Sequence, residues 1–215
     1  MIRIHHVPQA RSFRILWFCQ EAGLAHEVVQ HSFFDKSLRT PDFLALSPAG
    51  RVPAVELDGQ VMFESGAILE YLAETRAPAL HRPPGHADRI TYLEWLHFAE
   101  TIAVSLAILT QHHIVLREDH MRSPTVMRLE AKRLEKSLQA AARARRGEGV
   151  CGAFSAADVA LGYGAIIGQK FLRFEDPALM DWLDDLKARP AFQAAMAQDG
   201  AAQIYTRDFY EAPHV

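Results

Sequence analysis

The stretch from Gly50 to Leu72 constrains the fold more strongly than any other part of this sequence. Apolar residues alternate with polar or small ones on both sides of Asp58-Gly59. Because an Asp-Gly pair tolerates the positive φ angles of a tight turn, this pattern predicts two short strands joined as a hairpin. Glu64-Ser65 closes the second strand, and apolar residues then recur at helical spacing. The predicted helix has an inward face of Ile68, Leu69 and Leu72.

The junction between this strand and this helix predicts a binding site for an anion. Backbone N–H groups without helical partners and the positive end of the helix dipole meet there, and the Ser65 hydroxyl adds a donor. The adjacent Glu64 carboxylate can accept from an ammonium group. Together the two residues predict a receptor for an amino-acid head group, with the carboxylate at Ser65. A serine at this position is more often only a helix cap, and the residues alone leave that alternative open.

Two segments, Arg51-Val52-Pro53-Ala54-Val55 and Glu64-Ser65-Gly66-Ala67-Ile68, resemble the glutathione-binding motifs of the glutathione S-transferases. The resemblance implies a cis peptide before Pro53, with the Val52 backbone facing glutathione. It also implies that Glu64 and Ser65 hold the γ-glutamyl end. Arg51 stands where the family usually has lysine, which implies a contact with the glycyl carboxylate. The alternative for Arg51 is an exposed surface residue.

The segment around Pro8–Ser12 reads H-H-V-P-Q-A-R-S-F-R-I-L-W and is similar to bacterial and fungal transferases that read roughly H-x-x-N-S-R-S-x-R-I-L-W. In that family a side chain in this loop, usually a hydroxyl or a thiol, contacts the glutathione sulfur. By this alignment the family serine falls on Ala10, which cannot donate a hydrogen bond. Gln9 and Ser12 are therefore the candidate catalytic side chains.

Other groups in the same loop also compete for the role of activating the thiol. Ser12 precedes a helix, so its oxygen is expected to cap that helix rather than to reach the sulfur. Backbone amides and the positive dipole at the helix start, with Arg11 and Arg14 nearby, can lower the pKa of a thiol. We therefore expect activation without a side-chain hydroxyl at Ala10.

The first third of the chain alternates between strand and helix patterns. A strand over Ile2–Val7, a helix from Ser12 that ends at Gly23, and a second strand over Glu27–Phe33 precede the hairpin. The inner face of the helix is predicted to contain Ile15, Leu16 and Cys19. This order is that of a thioredoxin-like unit, and the alternation itself favours an α/β fold. We expect a thioredoxin-like, glutathione-binding domain over residues 1–76.

The remainder of the chain is predicted to be helical. Thr75–Gly85 holds four Pro or Gly residues without apolar periodicity and is typical of a linker. Ser155 and Asp158 have the spacing of a capping box, which resembles a signal that the transferases carry at the same place. We expect an all-helical domain over residues 86–215. Its predicted helices cover 87–116, 124–146, 155–171, 178–188 and 191–198.

Composition limits the possible partners and compartment. The net charge of −3 and the pI near 6.4 do not favour nucleic acid or an anionic membrane. The two cysteines, Cys19 and Cys151, lie far apart and favour a reducing compartment without a disulfide framework. The N-terminus has no long apolar run, so neither a signal peptide nor a membrane span is expected. These features predict a soluble, cytoplasmic protein.

Histidines and basic residues raise two further hypotheses. The pairs His5-His6 and His112-His113 are adjacent in sequence, so their side chains diverge, and no metal site is expected. The basic residues of the predicted 124–146 helix alternate with Glu130 and Glu135, which is typical of a solvated face rather than a nucleic-acid surface. These basic residues are Arg128, Lys132, Arg133, Lys136, Arg143, Arg145 and Arg146.

The resemblance covers nearly the whole chain and implies a cytosolic glutathione transferase that works as a homodimer. Its reaction would be attack by the glutathione thiolate on a small apolar electrophile, with glutathione as co-substrate and no metal. Ala10 leaves open a second possibility, an interaction protein of this fold that has lost catalysis. A third possibility is a glutathione-dependent peroxidase or reductase, although the loop contains no cysteine.

Overall fold

The computed structural model describes residues 1–211, and the chain divides into two compact units. The first contains Met1–Arg89 together with Lys187–Gln203, and the second contains Ile90–Leu186 and the tail from Ile204. Residues 212–215 of the expected helical domain lie outside the described residues. The expected domains, 1–76 and 86–215, stay a prediction. The compact units differ from them because Lys187–Gln203 returns to the first unit.

The first unit is built on a four-stranded mixed sheet. Its strands are β1 (Ile2–His6), β2 (His26–Gln30), β3 (Ala54–Leu57) and β4 (Gln60–Phe63), in the order β2-β1-β3-β4. β1 is parallel to β2 and antiparallel to β3, and β3 and β4 are antiparallel. With its helices this sheet forms the predicted thioredoxin-like domain. The second strand is shorter than the predicted Glu27–Phe33, because the chain leaves the sheet after Gln30.

The hairpin predicted from Asp58-Gly59 is present. Asp58 and Gly59 have φ angles of 52° and 80°, the two positive values that a type I′ turn requires. Helix α3 (Ser65–Arg76) follows β4, and its predicted inward residues are fully buried at Ile68, Leu69 and Leu72. The local signals of this stretch therefore predicted its structure correctly.

Helix α1 (Phe13–Glu21) is buried on more than its predicted face. Every residue from Phe13 to Cys19 is buried, although the pattern predicted an inner face of only three residues. Helix α8 (Pro190–Asp199) covers a further side of α1. Its Phe192 ring lies edge-on to Trp17, with 5.0 Å between the ring centroids. Arg189 also pairs with Glu21 at 2.7 Å. Helix α8 follows α1 by nearly the whole chain, so a local pattern could not predict this contact.

Helices form the second unit, as predicted. Helix α2 (Pro41–Leu46) belongs to the first unit, and the long helices that follow α3 are α4 (Arg89–Thr110), α5 (Pro124–Ala144), α6 (Ala156–Gly168) and α7 (Pro177–Ala188). α4 continues into a π-helical turn over Gln111–Val115. Ser123 caps α5 by accepting from the Val126 N–H at 3.3 Å. The element order gives the thioredoxin-like plus all-helical fold class.

One residue of the α5 face differs from expectation. Glu130 was predicted to lie on a solvated face, but it is 4% exposed. Its carboxylate accepts from Ser105 Oγ at 2.8 Å and pairs with Arg133 at 2.6 Å. Burial of a carboxylate is tolerated because both partners satisfy it. Charge alternation alone does not separate such a bonded carboxylate from an exposed one.

The segment Arg89–Val115 is, by length and composition alone, long and apolar enough to cross a membrane, and 39% of its most apolar window is buried in the protein. The core helix of a soluble protein passes the same test. The expected absence of a membrane partner therefore stays a prediction.

Candidate functional site

Helix α3 begins at Ser65, directly after Glu64 ends the hairpin. Glu64 adopts φ 71° and ψ 108°, a conformation that is costly for a residue with a side chain and that recurs at functional sites. Its side chain is exposed and makes no capping hydrogen bond. The junction thus presents a carboxylate to solvent at the helix end where backbone N–H groups lack helical partners.

A buried arginine donates a hydrogen bond to the Ser65 side chain. Arg14, in the first turn of α1, is fully buried, and its Nη1 donates to Ser65 Oγ over 3.0 Å. Because the serine oxygen accepts this hydrogen bond, its O–H is left to donate to a ligand. The guanidinium also adds a full positive charge to the partial charge at the start of α3. The arrangement is chemically suited to a carboxylate.

The position of Arg14 differs from the sequence-based expectation. Arg14 was grouped with Arg11 as a charge near the thiol, but its guanidinium lies at the predicted carboxylate site. One signal in the sequence could have indicated this: Arg14 is the charged residue inside the apolar run Phe13–Cys19, and a buried charge needs a partner of its own.

The segment before β3 has the predicted backbone geometry. The Val52–Pro53 peptide is cis, which confirms the expectation. Val52 is buried in a cluster with Val7 and Phe43, and Ala10 packs against the same cluster. The structure therefore brings the loop of Ala10 next to Val52, two segments that the sequence placed in one site. The Ala10 methyl group serves this packing.

Arg51 is exposed, and its backbone N–H donates to Ser47 Oγ at 3.2 Å. This contact fixes the chain just before the cis peptide and leaves the guanidinium at the surface. The structure is thus compatible both with a contact to a carboxylate and with the alternative of a plain surface arginine.

The loop after β1 forms a tight turn at Gln9. The Ala10 N–H donates to Val7 O at 3.1 Å, and Gln9 has φ 62°. A positive φ at the third position, with Pro8 at the second, is typical of a type II turn. The Gln9 N–H donates to the carboxylate of Asp199, at 3.1 Å from each oxygen. The amides of Gln9 and Ala10 are therefore already engaged, while the Gln9 side chain remains a candidate contact for the thiol.

The expectation that the Ser12 side chain caps α1 is wrong. Ser12 has φ −62° and ψ −21° and makes no capping bond, because a capping side chain requires extended rather than helical backbone at that residue. Its hydroxyl lies 2.9 Å from His6 Nδ1 and accepts from the Val7 N–H at 3.3 Å. Ser12 is fully buried, so its hydroxyl reaches His6 and Val7 rather than the loop surface.

Both cysteines are buried in the protein. Cys19 and Cys151 form no disulfide bond, and burial raises the pKa of the Cys19 thiol to about 12. A thiol in that state is a poor nucleophile at neutral pH. Within residues 1–211, no three His, Cys, Asp or Glu side chains come together as a potential metal site.

The sequence is similar to a known protein family and to several characterised proteins. The family described as Glutathione S-transferase, N-terminal domain, matches residues 2–74. The chain is 35% identical over 102 residues to Glutathione S-transferase 3 of Schizosaccharomyces pombe, a match that covers 46% of this chain and 41% of that protein. It is 32% identical over 103 residues to the disulfide-bond oxidoreductase YfcG of Escherichia coli, covering 45% and 47%. The chain thus spans less than half the length of these two relatives.

Similarity to solved structures extends further along the chain. The crystal structure of the theta class glutathione S-transferase from the citrus canker pathogen Xanthomonas axonopodis pv. citri, with glutathione bound, superposes with a TM-score of 0.79. The sequences are 27% identical, and the match covers 91% of this chain and 96% of that one. Residues 2–74 therefore match the glutathione S-transferase N-terminal domain, and the fold of the whole chain is similar to that of solved glutathione S-transferases.

Proposed function

We propose that this protein binds glutathione and joins its sulfur to a small apolar electrophile. The observation that carries the proposal is the junction of Glu64 and Ser65 with the buried Arg14 behind it. The γ-glutamyl end of glutathione carries a carboxylate and an ammonium group on one carbon atom. The Ser65 O–H and the α3 amides suit the carboxylate, and the exposed Glu64 carboxylate suits the ammonium.

The rest of glutathione would lie along the segment before β3. The Val52 backbone, next to the cis Pro53, would pair with the cysteinyl part of the peptide as an added strand does. Arg51 would bind the glycyl carboxylate, because an exposed guanidinium can bind a carboxylate in a two-pronged manner. These assignments leave the thiol to be placed near the loop around Gln9.

The reaction needs the thiolate form of glutathione. Deprotonation releases the thiol proton to solvent, and the sulfur then forms a bond to an electrophilic carbon while the leaving group departs with its electron pair. The positive end of the α1 dipole and the Gln9 side chain are the groups that we assign to lowering the thiol pKa. The buried Ser12 hydroxyl would act only through the loop that it holds.

Similarity to the glutathione S-transferases supports further parts of the proposal. We extend to this chain the apolar nature of the electrophile, a homodimeric assembly and a cytoplasmic location.

Two alternatives make different predictions for turnover. Similarity to the disulfide-bond oxidoreductase YfcG supports a disulfide reductase, and a glutathione-dependent peroxidase is the related alternative. With Cys19 buried and its pKa raised to about 12, such a reaction would use the thiol of glutathione itself. An interaction protein without catalysis would bind glutathione and turn over neither class of substrate. Rates with chlorodinitrobenzene, with a peroxide and with a mixed glutathione disulfide separate the three.

The test of the binding site is calorimetric titration of glutathione into wild type and Ser65→Ala. We expect the variant to lose about 1.5–3 kcal/mol of binding free energy, the value of a hydrogen bond to a charged group. Ser105→Ala is the matched control, because it removes another buried, hydrogen-bonded serine hydroxyl at Glu130. Equal glutathione affinity in wild type and a folded Ser65→Ala would refute the assignment.

A further inference from the structure

A buried carboxylate at the end of α8 contacts the loop around Gln9. Asp199 is 2% exposed, and both of its oxygens lie 3.1 Å from the Gln9 backbone nitrogen. One of them also lies 3.2 Å from His6 Nε2, and the Asp199 carbonyl oxygen lies 3.1 Å from the same nitrogen. Because Nε2 faces only acceptors in these contacts, we place the ring hydrogen there.

The hydrogen bonds continue through His6 to the other end of the loop. His6 and Ser12 are both fully buried. With hydrogen on Nε2, the His6 Nδ1 atom accepts from the Ser12 hydroxyl at 2.9 Å, and the Ser12 oxygen accepts from the Val7 N–H at 3.3 Å. Each donor in this series of hydrogen bonds has an acceptor. One connected network therefore binds the loop at Val7, Gln9 and Ser12.

The loop conformation requires such support. Gln9 has φ 62° in a turn position where glycine or asparagine is preferred, so its conformation is held by surrounding contacts. The chain after Asp199 also fits closely against the turn: Gly200 has φ 94°, and a Cβ atom there would lie 3.2 Å from Pro8 Cγ. The end of α8 is thus shaped to receive the Pro8–Gln9 turn.

We propose that Asp199 is a positioning residue for thiol activation, which holds Gln9 and the first turn of α1 in the geometry that faces the glutathione sulfur. This role rests on the proposed function. Asp199 is buried behind the loop, where it contacts the Gln9 amide. Its acceptor oxygen is the necessary feature, because the contact that fixes the turn is the hydrogen bond from the Gln9 N–H.

Three variants test this role. Asp199→Ala removes the acceptor, and Asp199→Asn keeps one oxygen of similar reach. Arg189→Ala is the matched control, since it removes the contact with Glu21 at the opposite end of α8 and leaves the loop untouched. If Asp199→Ala does not fold, Asp199→Ser takes its place, because a hydroxyl on a shorter side chain cannot reach the Gln9 amide.

We expect Asp199→Ala to lower kcat/KM by about tenfold or more. We also expect it to raise the pKa of the bound glutathione thiol, which is measured from the ultraviolet absorbance of the thiolate. Asp199→Asn should retain most of the activity, and Arg189→Ala should lower the melting temperature without moving the thiol pKa. Affinity for S-methylglutathione, which has no thiol to ionise, should be similar in all variants. Amide hydrogen exchange at Gln9 should accelerate in Asp199→Ala alone.

Two outcomes separate failure of this role from failure of the proposed function. A wild type that binds neither glutathione nor S-methylglutathione overturns the proposed function, and this role with it. A wild type that is active, with Asp199→Ala no more impaired than Arg189→Ala, overturns the role of Asp199 alone. Unchanged exchange at Gln9 in Asp199→Ala has the same consequence, because the turn would then be held by other contacts.

Discussion

The guanidinium of Arg14 is fully buried next to the Ser65 hydroxyl. Removing a charge from water costs several kcal/mol, and the cost is offset only where partners receive the charge. A serine at a helix start is by itself most often a cap. The buried cation behind Ser65 favours the binding interpretation, because a cap has no use for a second positive group at the positive end of a helix.

Arg14→Met removes this charge while keeping a long apolar side chain. We expect the affinity for glutathione to fall by about tenfold, because the γ-glutamyl carboxylate loses a nearby cation. Stability is expected to fall as well, since the buried Ser65 hydroxyl loses the donor of its hydrogen bond. Calorimetry and thermal melting measure the two effects separately. A folded variant with wild-type affinity would show that Arg14 is structural.

Single residues of the site differed in how far the sequence could predict them. The position of Glu64 and Ser65 at a helix start was predictable because their junction is a local pattern of strand, turn and helix start. The bond from Ser12 to His6 was not, because it depends on the helical backbone angles of Ser12, which its identity does not determine. The contact of Gln9 with Asp199 joins residues 190 positions apart, and no local spacing indicates it.

Strands and helices also differ in whether the local sequence predicts them. The hairpin at Asp58-Gly59, the cap of α5 and the start of α6 follow from turn and capping residues, and the structure has all three. The cover of α1 by α8 does not, because a helix that is buried on two sides has no single apolar stripe. The Trp17 contact with Phe192 is the physical reason for the broader burial of α1.

Helix α6 begins at a buried capping box whose bonds extend beyond the helix. Asp158 accepts from the Ser155 N–H at 2.9 Å and from the Val150 N–H at 2.8 Å, and both contacts are buried. A Cβ atom at Gly149 would clash with the same carboxylate. Asp158 therefore fixes both the helix start and the preceding turn, which supports a structural role for it.

Asp158→Ala should lower the free energy of unfolding by about 2 kcal/mol or more, because two buried N–H groups lose their acceptor. Thr40→Ala is the control, since Thr40 is an exposed residue whose hydroxyl accepts from the Phe43 N–H at 3.3 Å at the start of α2 and donates to Ser37 O at 3.1 Å. Its cost should be smaller. Denaturant titration measures both, and the folded fraction of each variant should keep its glutathione affinity. Normal stability of Asp158→Ala with loss of binding would contradict the structural role.

Lys187–Gln203, near the end of the chain, belongs to the same compact unit as Met1–Arg89. A fragment that ends at Arg89 contains β1 to β4 and α1 to α3, but it lacks α8 and Asp199. In such a fragment α1 would expose Trp17, and the Gln9 amide would lose its acceptor. The thioredoxin-like fold and its proposed thiol loop therefore depend on residues near the end of the described chain.

Histidines with lowered pKa values in both units make the stability of the protein depend on pH. Burial lowers the pKa of His31 and His81 in the first unit and lowers that of His113 in the second to about 4, from an ordinary value of 6.5. Between these two values the unfolded chain binds a proton at position 113 that the folded chain does not. Stability should therefore be full above about pH 6.5 and should decline as the pH falls toward 4.

His113→Phe tests this dependence, because it keeps an aromatic ring against Phe171, 5.2 Å away between ring centroids, and removes the titrating group. We expect the melting temperature of the wild type to fall between pH 7 and pH 5 and that of His113→Phe to fall less. His120→Gln, at an exposed histidine of the same segment, should follow the wild type. Equal pH profiles for all three proteins would show that the His113 imidazole is protonated in the folded state as readily as in the unfolded chain.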